Sequence, residues 1–159
     1  MSERLGDLAP AHGCWIAAGT FENDGGVFRN TCYVLDDKGA LRGRYHKMFP
    51  TLGELEAGLL PGDQALLLDT PWGRIGAAIC FDMNVDEAMS APAAQNARLV
   101  LFPSFYHAGR QNAVRCMRHD YYLASALVSG ATGKAGFVVT PWAASSTPRR
   151  PKRKEGAAR

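Results

Sequence analysis

A cysteine stands where an apolar segment gives way to acidic residues. Cys80 ends the run Arg-Ile-Gly-Ala-Ala-Ile-Cys of residues 74–80, and Asp82 follows two positions later. A rigid strand with a loop after it can fix a nucleophilic side chain at the rim of a pocket. The backbone N–H of Phe81 is then placed to donate to an oxyanion. The alternative is a small buried residue, which is the usual state of a free cysteine and which position alone favours.

The surroundings of Cys80 follow from the same strand prediction. If residues 73–81 form one strand, Cys80 shares a face with Gly76 and Ala78, whose small side chains leave space beside the sulfur. We expect Asp82 to cap the turn after the strand or to anchor an arginine, Arg115 or Arg118, rather than to take part in catalysis.

A lysine provides a possible partner for this thiol. Lys47 lies in the segment Arg-Tyr-His-Lys-Met-Phe-Pro-Thr, at the end of a predicted hairpin strand and 33 residues before Cys80. That length of chain can bring two adjacent strand ends together. An ammonium beside the sulfur would favour the thiolate and hold the negative charge that develops during attack. The alternative is a solvated lysine beside Arg44 and His46.

Hydrophobic patterns and turn residues predict an α/β domain. Helices and apolar strands alternate through the second half of the chain, whereas the first half favours a hairpin sheet after one short helix. The helices are predicted at 2–12, 83–97 and 111–124, and the strands at 14–21, 29–36, 40–47, 64–70, 73–81, 98–104 and 125–130. Residues 48–63 are predicted as a loop with one helical turn.

Charge and cysteine usage exclude several classes of function. Residues 149–159 contain six basic residues and one acid, a net +5, which leaves the rest of the chain at −2 and argues against a nucleic-acid platform. The four cysteines form no Cys-x-x-Cys pair, so a structural metal site is not expected. No apolar run approaches membrane-span length and the N-terminus is polar. We therefore predict a cytoplasmic protein with free thiols.

Four blocks, taken in order, resemble the nitrilase/amidase (carbon–nitrogen hydrolase) superfamily. They are residues 43–51 around Lys47, the Leu-Leu-Pro-Gly-Asp of residues 59–63, residues 69–87 around Cys80, and residues 97–109. The likeness runs from about Leu5 to about Val128. It implies a four-layer α-β-β-α sandwich, of which this chain would form a partial version. We expect an incomplete hydrolase domain over residues 1–142, truncated at both ends, and a basic disordered tail over residues 143–159.

The resemblance implies roles for three residues of the site. These enzymes hydrolyse nitriles, amides or carbamoyl groups through a covalent thiol intermediate, which would make Cys80 the nucleophile and Lys47 the oxyanion partner. The family has a second glutamate bonded to its lysine, and the candidates are Glu54 and Glu56, with Glu56 preferred. The chemistry requires no cofactor and no metal.

The general base of the family is not identifiable in the sequence. It is a glutamate on a strand upstream of the opening helix, and the only glutamates before Lys47 are Glu3 and Glu22. Neither matches the family position, so we expect the base to be missing from this chain and turnover to be slight. The alternative function is a catalytically dead remnant that acts only by association with other chains.

The expected partner is a small-molecule amide, carbamoyl compound or nitrile. The Cys-Phe-Asp-Met-Asn of residues 80–84 resembles the amidase and carbamoylase branches, which favours an amide or N-carbamoyl substrate. The resemblance implies that intact relatives form homo-oligomers. Neither nucleic acid nor membrane is expected as a partner, and the basic tail is interpreted as an incidental charged end.

Overall fold

A computed structural model describes residues 2–128, 136–142 and 145–146. The described part contains two β-sheets, four α-helices and one short 3₁₀ helix. The helices are α1 (Ser2–His12), α2 (Leu52–Glu56), α3 (Asp86–Ala94) and α4 (Gln111–His119), with the 3₁₀ helix at Cys80–Asn84. The strands are β1 (Ile16–Asp24), β2 (Val27–Leu35), β3 (Leu41–His46), β4 (Leu67–Thr70), β5 (Gly73–Ala77), β6 (Leu99–Ser104), β7 (Tyr122–Leu127), β8 (Phe137–Val139) and β9 (Ser145–Ser146).

The first sheet is an antiparallel meander in the order β1-β2-β3. Its β1–β2 hairpin turns through Gly25 and Gly26, where the backbone N–H of Gly26 donates to Asn23 Oδ1 over 2.8 Å. The register pairs Gly19 with Cys32, and Cys32 with Tyr45 on β3. This sheet carries Lys47 at the end of β3, because the backbone N–H of Lys47 still donates to the carbonyl of Asn30 over 2.8 Å.

The second sheet has the order β4-β5-β6-β7-β8-β9. Strands β5, β6 and β7 are parallel, and α3 and α4 are the crossover helices between them. The other three strands pair antiparallel. Parallel strands align their carboxyl ends at one edge, so the segment after β5, which holds Cys80, lies near the ends of β6 and β7.

The two sheets face each other closely. A side chain at Gly19 on β1 would place its Cβ 2.7 Å from the Cβ of Pro103 on β6, a distance that requires glycine. One apolar cluster, with Cys32, Tyr45, Ala77 and Ile79 buried, lies between the sheets. A second and larger cluster fills the space between the second sheet and helices α3 and α4. Helix α1 contacts β2, which gives the first sheet a helical neighbour of its own.

The strand that precedes Cys80 is shorter than predicted. Strand β5 ends at Ala77, so the alternation predicted for residues 73–81 does not continue to Cys80. Ala78 packs into the cluster beneath α3 and α4, whereas Cys80 packs against the cluster between the sheets. The space at Gly76 is filled by Pro92 of α3, because a Cβ there would lie 2.7 Å from the proline Cβ. The prediction that Cys80 shares a face with Gly76 and Ala78 was therefore wrong.

Helix boundaries also differ from the prediction. The segment predicted as one helix over 83–97 divides into the end of the 3₁₀ helix and α3. Helix α4 ends at His119 instead of 124, since Asp120 adopts a left-handed conformation with φ +53° and Tyr122 already begins β7. Aspartate is among the few residues that enter this region readily, and this stops the helix.

The predicted tail falls mostly outside the described residues. Of the range 143–159, only Ser145–Ser146 is described, and these two residues form β9, which pairs with β8. In the part of the chain that the structure describes, every helix is too short or too polar to cross a membrane.

Candidate active site

Cys80 lies in a strained turn directly after the second sheet's β5 strand. Its φ is +49°, in the left-handed region that costs a residue with a side chain about 1–2 kcal/mol. The turn is held by two bonds between Ile79 and Asp82: the N–H of Asp82 donates to the Ile79 carbonyl over 3.0 Å, and the N–H of Ile79 donates to Asp82 Oδ2 over 2.8 Å. Strain that the surroundings enforce is typical of functional positions, and here it turns Cys80 away from the strand.

Lys47 is buried at the end of the first sheet. Its side chain is 2% exposed, and its Nζ lies 2.5 Å from Glu54 Oε2. The backbone on either side is fixed as well, because the Lys47 carbonyl accepts from the N–H of Gly62 over 2.8 Å. A buried ammonium requires a counter-charge and hydrogen-bond acceptors, and Glu54 supplies both.

Glu54 is held by a capping box at the start of α2. Its Oε2 accepts from the N–H of Thr51 over 2.7 Å, and its own N–H donates to Thr51 Oγ1 over 3.3 Å. Its Oε1 accepts from Asn30 Nδ2 over 2.7 Å. Burial alone would raise the pKa of Glu54, but the bonds from Lys47, Thr51 and Asn30 outweigh it and lower the pKa to about 2. Glu54 is therefore ionised at neutral pH.

The residue that contacts the lysine is Glu54 and not the preferred candidate, Glu56. Glu56 is exposed at the last position of α2. The two glutamates are separated by about 200° around a helix of 3.6 residues per turn, so only one can face the sheet. The geometry thus corrects the sequence preference for Glu56 as the partner of Lys47 and selects the alternative, Glu54.

A cavity of about 640 Å³ brings the nominated side chains together. Lys47, Glu54 and Cys80 all line it, beside the carboxyl ends of β6 and β7. The apolar part of the lining includes Phe21, Ile79, Pro103, Phe105, Leu127 and Val128, and the neutral polar part consists of Thr20, Asn30, Thr51 and Ser104. Phe105 lines the cavity, whereas the neighbouring Tyr106 does not.

Glu22 lies apart from this cavity. It belongs to the face of the first sheet opposite Asn30, where its carboxylate bonds to Thr31, Arg44 and His46. Burial alone would raise the pKa of Glu22, but its hydrogen bonds with Tyr33, Thr31 and His46 and the charge of Arg44 lower it. The side chain of Glu3 is outside the part of the chain that the structure describes. Among the described lining residues, Glu54 is the only carboxylate.

Two further residues join the site without having been nominated for it. Asn30 and Thr51 both donate to Glu54 and both line the cavity. Asp82 makes no bond with Arg115 or Arg118, which both pair with Asp86 instead. The hydrogen-bond partners of Asp82 instead lie next to Cys80 and on both sides of Lys47. Within the described residues, no group of three or more His, Cys, Asp or Glu side chains is arranged to hold a metal ion.

The low pKa of Glu54 predicts that the protein loses stability in acid. The pKa of Glu54 in the folded protein, about 2, lies below the ordinary glutamate value of 4.5, so the ionised form stabilises the fold above pH 4.5 and this contribution is lost as the pH falls toward 2. Allowing for solvent screening of a partly exposed group, we expect a loss of about 1–2 kcal/mol over this range. Urea unfolding measured between pH 7 and pH 2.5 checks this. A Glu54→Gln variant should lose less unfolding free energy than the parent over the same pH range. If the unfolding free energies of the two proteins fell equally with pH, Glu54 would not be the group responsible.

The chemistry available in this cavity is that of a thiol beside a buried ammonium–carboxylate pair. The sequence profile of the carbon-nitrogen hydrolase family matches residues 1–134. The chain belongs to this family. The sequence-based recognition of a carbon–nitrogen hydrolase is thereby confirmed.

Individual relatives agree with this membership. The omega-amidase NIT2-B of Xenopus laevis is 27% identical over 164 residues, which cover 89% of this carbon–nitrogen hydrolase chain and 59% of the relative. The omega-amidase NIT2 of Homo sapiens is 28% identical over 116 residues, covering 67% of this chain and 42% of the relative. The chain thus spans roughly half the length of these curated relatives.

Solved structures support the fold class. The amidase from Nesterenkonia sp. AN1 superposes with a TM-score of 0.81 at 23% identity, over 91% of this chain and 62% of that structure. Nit3 of Saccharomyces cerevisiae, a member of branch 10 of the nitrilase superfamily, superposes with a TM-score of 0.80 at 22% identity, over 89% and 58%. The expected α/β class, a partial sandwich of the nitrilase type, is confirmed by these similarities.

Proposed function

We propose that the cavity hydrolyses the carbon–nitrogen bond of a small amide, with Cys80 as the nucleophile and Lys47 as the partner of the oxyanion. The observation that carries the proposal is that Cys80 and the Lys47–Glu54 pair line one cavity in a carbon–nitrogen hydrolase chain. A structure of a Nesterenkonia amidase variant, in which a glutamate is replaced by glutamine, supports it by analogy. That variant carries acrylamide added to its active-site cysteine.

The proposed reaction has two halves. Cys80 Sγ attacks the carbonyl carbon, the negative oxygen is stabilised by the Lys47 ammonium and the N–H of Phe81, and the C–N bond breaks to release the amine and leave a thioester. Water then hydrolyses the thioester. Both halves require a group that accepts a proton, first from the thiol and then from the water.

Glu54 is poorly suited to accept these protons. With a pKa of about 2 and three donors directed at its oxygens, it is a very weak base at neutral pH. Its role in the proposal is to pair with the Lys47 ammonium and hold it in place. Because it is the only carboxylate in the described lining, we expect this chain to form the covalent intermediate faster than it releases it.

The lining also bears on the substrate. Apart from the Lys47–Glu54 pair and Cys80, its described side chains are neutral, and aromatic rings at Phe21 and Phe105 stand at the exposed rim, 69% and 64% exposed. A neutral acyl group or N-carbamoyl group fits this lining, because an unpaired charge would lose hydration without gaining a counter-charge. The cytoplasmic location remains a prediction.

A second candidate function is a catalytically inert chain that only associates with other chains. It is favoured by the same carboxylate shortage in the described lining and by the exposed aromatic rim at Phe21 and Phe105. The two candidates differ in the reactivity of Cys80, since an inert remnant has no reason to preserve an activated thiol.

Thiol labelling of the 159-residue chain separates these candidates. Acrylamide is added at pH 7.5 and each cysteine is followed by peptide mass spectrometry, with the exposed Cys14 as the reference thiol. We expect Cys80 to react at least about tenfold faster than Cys14 although it is less exposed, because Lys47, which lines the same cavity, can stabilise the negative charge that addition places on the acrylamide oxygen. A Cys80→Ala variant should lose the fast adduct, and a Cys14→Ser variant should retain it.

The proposal fails if Cys80 reacts no faster than Cys14. A fast Cys80 adduct without measurable release of ammonia from simple amides agrees with the expected slow second half-reaction. Rapid multiple turnover that Cys80→Ala abolishes would contradict the conclusion that this chain lacks an effective base.

A further inference from the structure

Asp82 is a completely buried carboxylate with three hydrogen-bond donors directed at it. Its exposed fraction is 0%. Oδ2 accepts from the hydroxyl of Tyr45 over 2.8 Å and from the N–H of Ile79 over 2.8 Å, and Oδ1 accepts from the N–H of Phe49 over 2.9 Å. Burial of a carboxylate is unfavourable unless its oxygens are satisfied, so all three donors are needed at this position.

These donors come from the two segments that carry the proposed catalytic side chains. Tyr45 and Phe49 stand two residues before and two residues after Lys47. Ile79 immediately precedes Cys80, and Asp82 itself follows it by two residues. One carboxylate therefore joins the end of the first sheet's β3 strand to the turn after the second sheet's β5 strand.

The turn at Cys80 depends on the same carboxylate. The left-handed φ of +49° at Cys80 is unfavourable and persists only if the flanking peptides are fixed. The bond from Ile79 to Asp82 Oδ2 and the return bond from the Asp82 N–H to the Ile79 carbonyl close the turn on both sides of Cys80. Burial raises the pKa of Asp82, while the bonds from Ile79, Tyr45 and Phe49 and the Lys47 ammonium act in the opposite direction.

We infer that Asp82 is a positioning residue that sets the placement of the Cys80 sulfur relative to the Lys47 ammonium. It does not line the cavity and so acts through the two segments it joins. This inference rests on the proposed function, because it assigns Asp82 to the reactivity of Cys80. Loss of the carboxylate would let the turn relax and separate the sulfur from the ammonium without emptying the core.

The test is the acrylamide labelling described above, applied to an Asp82→Asn variant of the whole chain. In asparagine, an amide nitrogen replaces one of the two carboxylate oxygens. Because that nitrogen cannot accept a hydrogen bond, the donors that bonded to the replaced oxygen lose their acceptor. We expect the labelling rate of Cys80 to fall at least tenfold and the thiolate absorbance of the folded protein, measured against Cys80→Ala, to decrease. The matched control is Glu87→Gln, which removes an exposed acid near the same turn and should leave both readouts unchanged.

The other thiols separate positioning from loss of fold. Cys32 and Cys116 are fully buried, so both stay unlabelled as long as the core is intact. A slower Cys80 with Cys32 and Cys116 still protected supports the inference. An unchanged Cys80 rate and thiolate absorbance in a protected Asp82→Asn core overturns it.

A second variant decides the question if Asp82→Asn does not fold. Tyr45→Phe keeps the buried ring and removes one of the three donors to Asp82. A fall of about threefold or more in Cys80 labelling supports the inference, and an unchanged rate overturns it. If Cys80 of the parent chain is labelled no faster than Cys14, the proposed function and this inference are overturned together. If the parent Cys80 is labelled fast and both variants leave its rate unchanged, only the inference is overturned.

Discussion

Replacing Glu54 by glutamine is expected to lower the unfolding free energy by about 2–3 kcal/mol at pH 7, because the Lys47 ammonium would remain buried without a counter-charge. Lys47 is 2% exposed and its Nζ lies 2.5 Å from the Glu54 carboxylate, whose own exposure is 16%. The glutamine amide nitrogen would also face one donor that now bonds to a carboxylate oxygen, either Asn30 at Oε1 or Thr51 at Oε2. Urea unfolding followed by circular dichroism measures the change.

Glu56→Gln is the matched control for this prediction. It makes the same chemical change two residues away on the same helix, at an exposed position, and should change the unfolding free energy by less than about 0.5 kcal/mol. If the two variants were equally stable, the Lys47–Glu54 pair would carry no net stabilisation and the assignment of Glu54 as the second glutamate would lose its basis.

The choice between Glu54 and Glu56 could have been made from the sequence. Thr51-Leu-Gly-Glu54 is a capping-box pattern, and it directs the glutamate side chain back toward the residue that begins the helix. That residue follows Lys47 by four positions, so the pattern places a carboxylate close to the lysine. Alignment of family blocks lacked this information, because the spacing to the following Pro-Gly-Asp varies.

The general fold was predictable because local patterns and tertiary structure agree over most of the chain. The helix predicted at 2–12 is α1, Ser2–His12, and the hairpin strands lie close to the predicted limits. Turn residues and alternation determine such elements locally. Strand β6 likewise agrees with the apolar run predicted at 98–104, whereas β7 begins at Tyr122, inside the segment predicted as helix.

Features that depend on distant contacts could not be predicted in this way. The positive φ of Cys80 is unfavourable locally and is maintained by Asp82, whose other donors are 33 and 37 residues away in the sequence. Pro92 of α3 likewise packs against Gly76 inside β5, a contact that the sequence of the strand does not reveal. An apolar run predicts where a strand can form, whereas the tertiary contacts decide where it stops.

The Lys47→Met variant is expected to slow acrylamide addition at Cys80 by about 10²–10³-fold, the usual effect of removing one oxyanion donor. Addition of the sulfur to acrylamide places negative charge on the amide oxygen, which resembles the charge in the proposed hydrolysis. Alkylation by iodoacetamide displaces iodide instead and places no such charge on the oxygen. The loss should therefore be larger for acrylamide than for iodoacetamide if the ammonium acts on the oxyanion.

Two comparisons complete this experiment. Lys38→Met, at an exposed lysine in the β2–β3 turn, removes the same charge away from the cavity and should label like the parent. Protection of Cys32 and Cys116 verifies that the Lys47→Met core is folded. If the Lys47→Met variant slowed both reagents equally, Lys47 would act only by favouring the thiolate form of Cys80 and not by stabilising the oxyanion. No loss with either would mean that the buried ammonium serves only to pair Glu54, and the oxyanion role would have to be abandoned.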